Sequence, residues 1–446
     1  MKKNKIQLIN PPLSGNYAKS PRTGVYPPVN LISLATFINS KTSKFEIEIL
    51  DGEIQSFDDI LKSIDAEFVA VGSTILSYSN TLHIAEFAKE TGATVIIGGH
   101  YASSFPELIL KNRKFVDFVI VGDAEIALYE LVSGSEVSKI NNLTFRQLNS
   151  QIKTNKIVKF PMNQIPILDF GLVNLEKYFY RNALKPYKRP FAIFSSKGCS
   201  WRSKTKGCNY CGIMHEGWRT KSPEQYWHEI MCYKELYNID FIWDVSDTIA
   251  ASKKWLREFA LAKPKDIDIG FLFYSRADHI DDEVLDYLSI VNSKELFLGA
   301  ESGDDNCLSL TNKGYRAEQI FNAVELISSY DIKIIVSFMV GLLGENISSI
   351  DNTELMIKNL TKTTEIDEGL VNVMIPMPGS KSFEMIKECT NLKGKYKSCD
   401  LIPIEELKKD WLDNFTSISY EEAIFHRDKL LSMFEKGTSY GYLKHV

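Results

Sequence analysis

Three of the seven cysteines, Cys199, Cys208 and Cys211, fall within thirteen residues in the run FAIFSSKGCSWRSKTKGCNYCGIMHEG. The other four, Cys232, Cys307, Cys389 and Cys399, are scattered and read as ordinary thiols. Thiols as close as the trio invite metal or oxidation. Two metal chemistries are open on spacing alone. Cys199, Cys208-x2-Cys211 and His215 make a Cys₃His set with plausible zinc spacing. Alternatively, three thiolates hold three corners of an iron–sulfur cubane and leave one iron free for a substrate-like molecule.

The elements that must position the trio separate these readings. About the first 140 residues alternate apolar strand-like runs, at 6–10, 46–51, 68–73, 94–99 and 118–123, with amphipathic stretches such as 30–40 and 80–91. Such alternation points to a Rossmann-like doubly wound α/β domain, a parallel sheet with helices on both faces. Gly72-Ser73-Thr74, Gly98-Gly99-His100 and Gly122-Asp123 fall where its strands end, the edge at which open α/β sheets bind ligands. Residues 141–190 lose the rhythm and read as a connector with weak strand content.

A second alternating series begins at Phe191, with strands expected at 191–197, 241–246, 269–275, 295–300, 332–341 and 369–376. Helical patterns follow at about 222–236, 252–262, 281–291, 316–330 and 346–361. These are six β/α units over 191–385, a partial barrel rather than the eight-unit closed one. Residues 386–446 read as a helical cap. Barrel sites lie at the carboxyl ends of the strands, and the trio follows the first of them. That position suits chemistry better than stapling a fold, and it favours the cluster over zinc.

Net charge is −5, which gives no basic field for nucleic acid or anionic membrane. The first residues, MKKNKIQLIN, lack the apolar stretch of a signal peptide, and no run approaches the roughly 18 apolar residues of a membrane span. Seven cysteines with one tight trio fit a reducing cytoplasm.

The trio resembles the cluster loop of radical S-adenosylmethionine (SAM) enzymes, with an aromatic, Tyr210, before the third cysteine. Three further segments resemble family motifs in the right order. Gly299-Ala300-Glu301-Ser302-Gly303 is similar to G-x-E-S-G and runs on into Thr311-Asn312-Lys313-Gly314. Phe338-Met339-Val340-Gly341-Leu342-Leu343-Gly344-Glu345 resembles F-M-x-G-L-P-G-E, with Leu343 for proline. Pro376-Met377-Pro378-Gly379-Ser380 resembles P-x-P-G-T. The departure is spacing: eight residues, 200–207, separate the first two cysteines where the family has three. The resemblance implies a [4Fe-4S] cluster on Cys199, Cys208 and Cys211. It implies SAM contacts by Tyr210, Gly299, Glu301 and Ser302; Arg276 and Asp244, also at strand ends, are candidates for the same pocket. Asp247 reads equally as a helix cap.

Residues 1–140 resemble the cobalamin-binding domain that precedes the barrel in many such enzymes. The matching pieces are Asn10-Pro11-Pro12, Gly72-Ser73-Thr74, Gly98-Gly99-His100-Tyr101 and Val121-Gly122-Asp123-Ala124-Glu125. Pro11, Gly72, Ser73, Thr74, Gly98, Gly99, His100, Gly122 and Glu125 become candidate cobalamin contacts. The D-x-H-x-x-G motif is absent, and His100 and Tyr101 stand where the family often has proline and histidine. Together the resemblances imply a cobalamin-dependent C-methyltransferase for a small molecule. A 5′-deoxyadenosyl radical from SAM would abstract hydrogen, and the carbon would take a methyl group from cobalamin. A flavodoxin or ferredoxin would supply the electron. A radical rearrangement or cyclisation without methylation, and a zinc-stabilised binding protein, are the alternatives.

Overall fold

Runs of apolar residues without polar alternation must be covered on both faces, and in this chain they become two parallel sheets. The computed structural model describes residues 2–14, 26–181, 184, 186–212 and 217–439. In the first sheet β1 (Lys2–Asn10), β2 (Glu46–Asp51), β3 (Ala66–Val71), β4 (Thr94–Ile97) and β5 (Phe118–Ile120) run parallel in the order β2-β1-β3-β4-β5. The order reverses between β1 and β3, which opens a crevice beyond their carboxyl ends.

Two antiparallel strands, β6 (Leu143–Arg146) and β7 (Ile152–Thr154), extend that sheet beyond β5. The sheet thus continues past residue 140 into the stretch read from sequence as a connector. Strands of three or four residues are too short to display an alternation.

The second sheet is parallel throughout. β8 (Pro190–Ile193), β11 (Phe241–Asp244), β12 (Gly270–Ser275), β13 (Ser293–Glu301), β14 (Lys333–Val340) and β15 (Glu368–Val373) follow one another across it. β16 (Gly437–Thr438) adds a two-residue edge beside β15. Between β8 and β11, β9 (Ser196–Lys197) and β10 (Arg219–Thr220) pair antiparallel and close the base of the cysteine loop. Side chains alternate in direction along each strand. Phe271 thus meets Phe259 edge-on at 6.1 Å on the helix side, where Phe259 also stacks on Trp227. Tyr274 and Phe297 pack at 4.8 Å on the other face and stay half-buried.

The C-terminal helices Lys381–Glu388, Ile404–Phe415 and Tyr420–Leu431 bind the halves together. Trp411 is fully buried and its Nε1–H donates to the Gly341 carbonyl at 2.8 Å. Phe383 meets Phe105 of the first domain at 5.5 Å. Asp400, itself buried, accepts from Tyr78 (3.0 Å), Asn112 (2.8 Å) and Arg113 (2.8 Å), while its carbonyl accepts from Tyr101 (2.9 Å). Among the described residues, no helix is long and apolar enough to cross a membrane.

Candidate functional site

The three cysteines are half-buried on a loop that is stapled at several points. Between Cys208 and Cys211, the Asn209 N–H donates to the Thr311 carbonyl (2.9 Å) and its side chain to the Leu310 carbonyl (2.7 Å). The Asn209 carbonyl accepts from the Ser382 N–H at 2.8 Å. The loop is therefore tied to the segments that follow two of the motifs. At its start, the Gly198 N–H donates to Asp247 (2.9 Å), whose burial raises its carboxyl pKa. Asp247 thus holds the cysteine loop; the first helical turn after it is preceded by Thr248. Soft thiolates on a held loop at a strand's carboxyl end suit an iron–sulfur cluster. His215, the fourth ligand of the zinc alternative, lies outside the described residues.

Behind this loop lies a buried charged cluster. Glu301 ends β13 at a register shift, with φ of 68°. Its Oε1 accepts from Lys313 Nζ at 2.7 Å, and Lys313 also donates to the Tyr210 hydroxyl at 3.2 Å. Both charged side chains are nearly buried, at 11% and 7% exposure. Burial opposes the ammonium charge, but Glu301 more than offsets it and the Lys313 pKa stands above its ordinary value. Burial, then Glu301 and Cys208, push the Tyr210 phenol up as well. Gly299 makes the pair possible, since a Cβ there would lie 2.6 Å from Glu301 Oε1 and 3.2 Å from Lys313 Nζ. Arg276 holds Asp278 with two bonds (2.8 and 3.0 Å) and donates to the Lys313 carbonyl at 2.7 Å. Tyr315 closes the cluster by donating to the Gly299 carbonyl.

The structure thus brings Tyr210, Arg276, Gly299 and Glu301 together beside the cysteines, and adds Lys313 and Tyr315. Two other candidates have their polar atoms engaged elsewhere. Asp244 accepts from Tyr226 (3.0 Å) and from the Ser246 N–H (2.9 Å). Ser302 is fully buried, 3.2 Å from the Thr353 hydroxyl, and accepts from the Asp304 N–H.

On the first sheet, Thr74, Gly99 and His100 are exposed at the carboxyl ends of β3 and β4, with Gly72 and Gly98 half-buried beneath them. Ser73 is buried and donates to the Gly98 carbonyl at 2.6 Å, which locks the two strand ends together. Gly99 has φ of 93°, and a Cβ there would meet the Ser73 carbonyl oxygen at 2.6 Å. Gly122, with its N–H on the Ser103 hydroxyl (3.0 Å), completes the rim. An open rim of backbone at the carboxyl ends of β3, β4 and β5, beside the switch point between β1 and β3, fits a broad ligand such as a corrin. Pro11 is buried. Glu125 is buried too, accepting from Ser33 at 3.1 Å.

Glu125 also belongs to a bridge between the sheets. Lys197 lies 3.2 Å from Asp123 and 3.5 Å from Glu125, and Arg219 lies 2.9 Å from Asp123. Lys197 is on β9, two residues before Cys199. The segment that follows β5 in the first sheet therefore touches the root of the cysteine loop. Sequence reasoning missed Lys197 because its partners are more than 70 residues away. Lys313 was visible within a motif, but its pairing with Glu301 is a matter of tertiary structure.

Residues 19–132 match the B12 binding domain, and residues 193–357 match the radical SAM superfamily. The chain is 25% identical over 402 residues to an uncharacterized methyltransferase of Pyrococcus horikoshii, covering 86% of this chain and 83% of that one. Its fold is similar to the cobalamin-dependent SAM radical enzyme OxsB with aqua-cobalamin and SAM bound (TM-score 0.67, 15% identity, 93% of this chain). This chain spans 58% of the length of OxsB. It is also similar to the radical SAM methyltransferase TsrM from Kitasatospora setae with cobalamin and a [4Fe-4S] cluster bound (TM-score 0.65, 17% identity, 86% of this chain and 76% of that one).

Proposed function

We propose that this chain, which belongs to the cobalamin-dependent radical SAM enzymes, methylates an unactivated carbon of a small molecule. The observation that carries the reading is the Lys197–Asp123 contact of 3.2 Å. It draws the β5 edge of the first sheet to the root of the cysteine loop, so that ligands of both sheets would share one cleft. When bound, the cluster would deliver the electron that cleaves SAM, and the corrinoid would carry the methyl group.

The chain's own residues would bind, orient and exclude water. Cys199, Cys208 and Cys211 would hold the cluster. Glu301, fixed on one oxygen by Lys313, would turn its other oxygen to SAM, and Tyr210 and Arg276 would flank it. The stretch 299–302 would line the SAM site, with Ser302 shaping the turn through Thr353 and Asp244 fixing the neighbouring strand end. The rim of Gly72, Thr74, Gly98, Gly99, His100 and Gly122 would receive cobalamin, with Ser73 and Pro11 supporting it from beneath. Glu125 would act on that rim through Lys197. Residues 1–140 and 191–385 would serve as cofactor domains, joined by 141–190 and covered by 386–446. The enzyme would work in the cytoplasm with a flavodoxin or ferredoxin as electron donor.

The test is anaerobic turnover of chain loaded with iron and cobalamin, supplied with SAM, reductant and candidate acceptors. Methylated product with both S-adenosylhomocysteine and 5′-deoxyadenosine supports the reading. Deoxyadenosine with a rearranged, unmethylated product would replace it with radical rearrangement.

A further inference from the structure

The eight residues between Cys199 and Cys208 are the chain's main departure from the family spacing, and they form a fixed structure. Residues Ser200–Thr205 are a short helix that follows directly from Cys199. Its inner side is pinned. Trp201 Nε1–H donates to the Asn312 carbonyl at 2.8 Å, and the Arg276 guanidinium lies 4.8 Å above the indole. Arg202 donates to the Cys211 carbonyl at 3.2 Å, reaching across the loop. Asn312 in turn donates to the Gly207 carbonyl at 2.7 Å. A segment held this way displays its outer side in one orientation.

That outer side is basic. Ser203, Lys204 and Lys206 are exposed, and Lys206 has φ of 71° at the turn out of the helix. Lys159, also exposed, comes to the same place: its Nζ and the Ser203 Oγ lie 3.6 and 3.8 Å from a point at Gly217. Residues 200–207 contain no acid, although the whole chain carries a net charge of −5. Among the described residues the insert thus presents lysines and no acid of its own to solvent, and it is covalently continuous with two of the three cysteines.

We propose that the exposed face of this insert, Lys204, Lys206 and Lys159, docks an acidic one-electron carrier protein. The proposal rests on the cluster reading given above. In the step it serves, one electron leaves the carrier, which is oxidised, and enters the cluster, which is reduced. Opposite charge steers such encounters and raises the association rate, and salt suppresses it. The extra residues then have a physical role: they carry a basic surface to the cluster's solvent side without moving Cys208 from Cys211.

The test uses the full chain with its cluster loaded, as wild type and as Lys204→Glu/Lys206→Glu. The rate of cluster reduction is followed by absorbance with a reduced acidic flavodoxin, and separately with photoreduced deazaflavin, a small neutral reductant. At about 50 mM salt, where charges are weakly screened, the flavodoxin rate should fall at least tenfold in the variant. At about 300 mM salt wild type and variant should converge. Iron content and the deazaflavin rate should match wild type, which separates docking from damage to the cluster. Lys159→Glu should show the same pattern more weakly. Equal flavodoxin rates at low salt, with cluster present in both, would overturn the docking site alone. Wild type without iron would overturn the cluster reading and the docking site with it.

Discussion

Lys313 Nζ stands 2.7 Å from Glu301 Oε1 in a site where both side chains are nearly buried, and the ammonium also reaches the hydroxyl of Tyr210, one residue before Cys211. This pair ties the end of β13 to the cysteine loop. Removing one partner of a buried pair leaves the other charge uncompensated, so Lys313→Met should cost about 3–5 kcal/mol. The double variant Lys313→Met/Glu301→Gln should recover a large part of that loss. Anaerobic denaturant unfolding measures both. Equal costs for the single and double variants would mean that Glu301 is not held by Lys313.

The same pair lies across Gly299, where a Cβ would intrude to 2.6 Å of the carboxylate. Gly299→Ala should displace Glu301, lower SAM affinity about tenfold or more, equivalent to about 1.4 kcal/mol, and leave iron content unchanged. Equilibrium dialysis with SAM on the reconstituted chain decides it; an unchanged affinity removes Glu301 from the SAM pocket.

Asp400 is the hub between the C-terminal segment and the first domain. Asp400→Ala strands the buried Tyr78 hydroxyl, takes one of two acceptors from the Asn112 amide, which keeps the Ser398 carbonyl, and removes the carboxylate partner of Arg113. A buried donor left unsatisfied costs about 1–3 kcal/mol, so a loss in that range is expected from Tyr78 alone. Hydrogen exchange should accelerate in Lys381–Glu388 and Pro106–Asn112 together. Acceleration in only one of them would show that Asp400 does not couple the two.

Glu345 is 1% exposed, and burial pushes its carboxyl up to about 8 from an ordinary 4.5, against the Gly341 and Leu342 N–H groups that favour the charge. Its contribution to stability is whole below about pH 4.5. Between there and about 8 the unfolded chain releases this proton while the native chain keeps it, so stability falls with rising pH by up to about 1.4 kcal/mol per unit. Glu345→Gln should remove that component. Denaturation midpoints of wild type and variant across pH 5–8 should converge or diverge with pH; parallel curves would contradict the shift.

The legible part of the fold was the part built from long apolar runs. All six barrel strands were marked in sequence because burial on both faces demands unbroken apolar residues. β6 and β7 were not, being strands of only four and three residues, and β16 has two residues and takes its position from β15 alone. The helix inside the insert was not legible, because six residues are too few to show a period. Within the site, the cysteines and the Gly299–Glu301 stretch could be found by spacing. The partners that fix them could not. Lys197 meets Asp123 and Glu125 across the domain boundary, and Ser302 and Asp244 look like site residues in sequence but spend their polar atoms on Thr353 and Tyr226.

The central claim is that one cleft serves a three-cysteine cluster and a corrinoid. Iron, cobalt and zinc analysis with an anaerobic ultraviolet–visible spectrum, on full-length protein expressed with cobalamin supplied, tests it most directly. About four irons and about one cobalt per chain are expected, with a broad thiolate-to-iron band and a corrinoid band, as a [4Fe–4S] cluster beside cobalamin requires. Iron without cobalt would contradict the shared cleft, and zinc without iron would contradict the cluster itself.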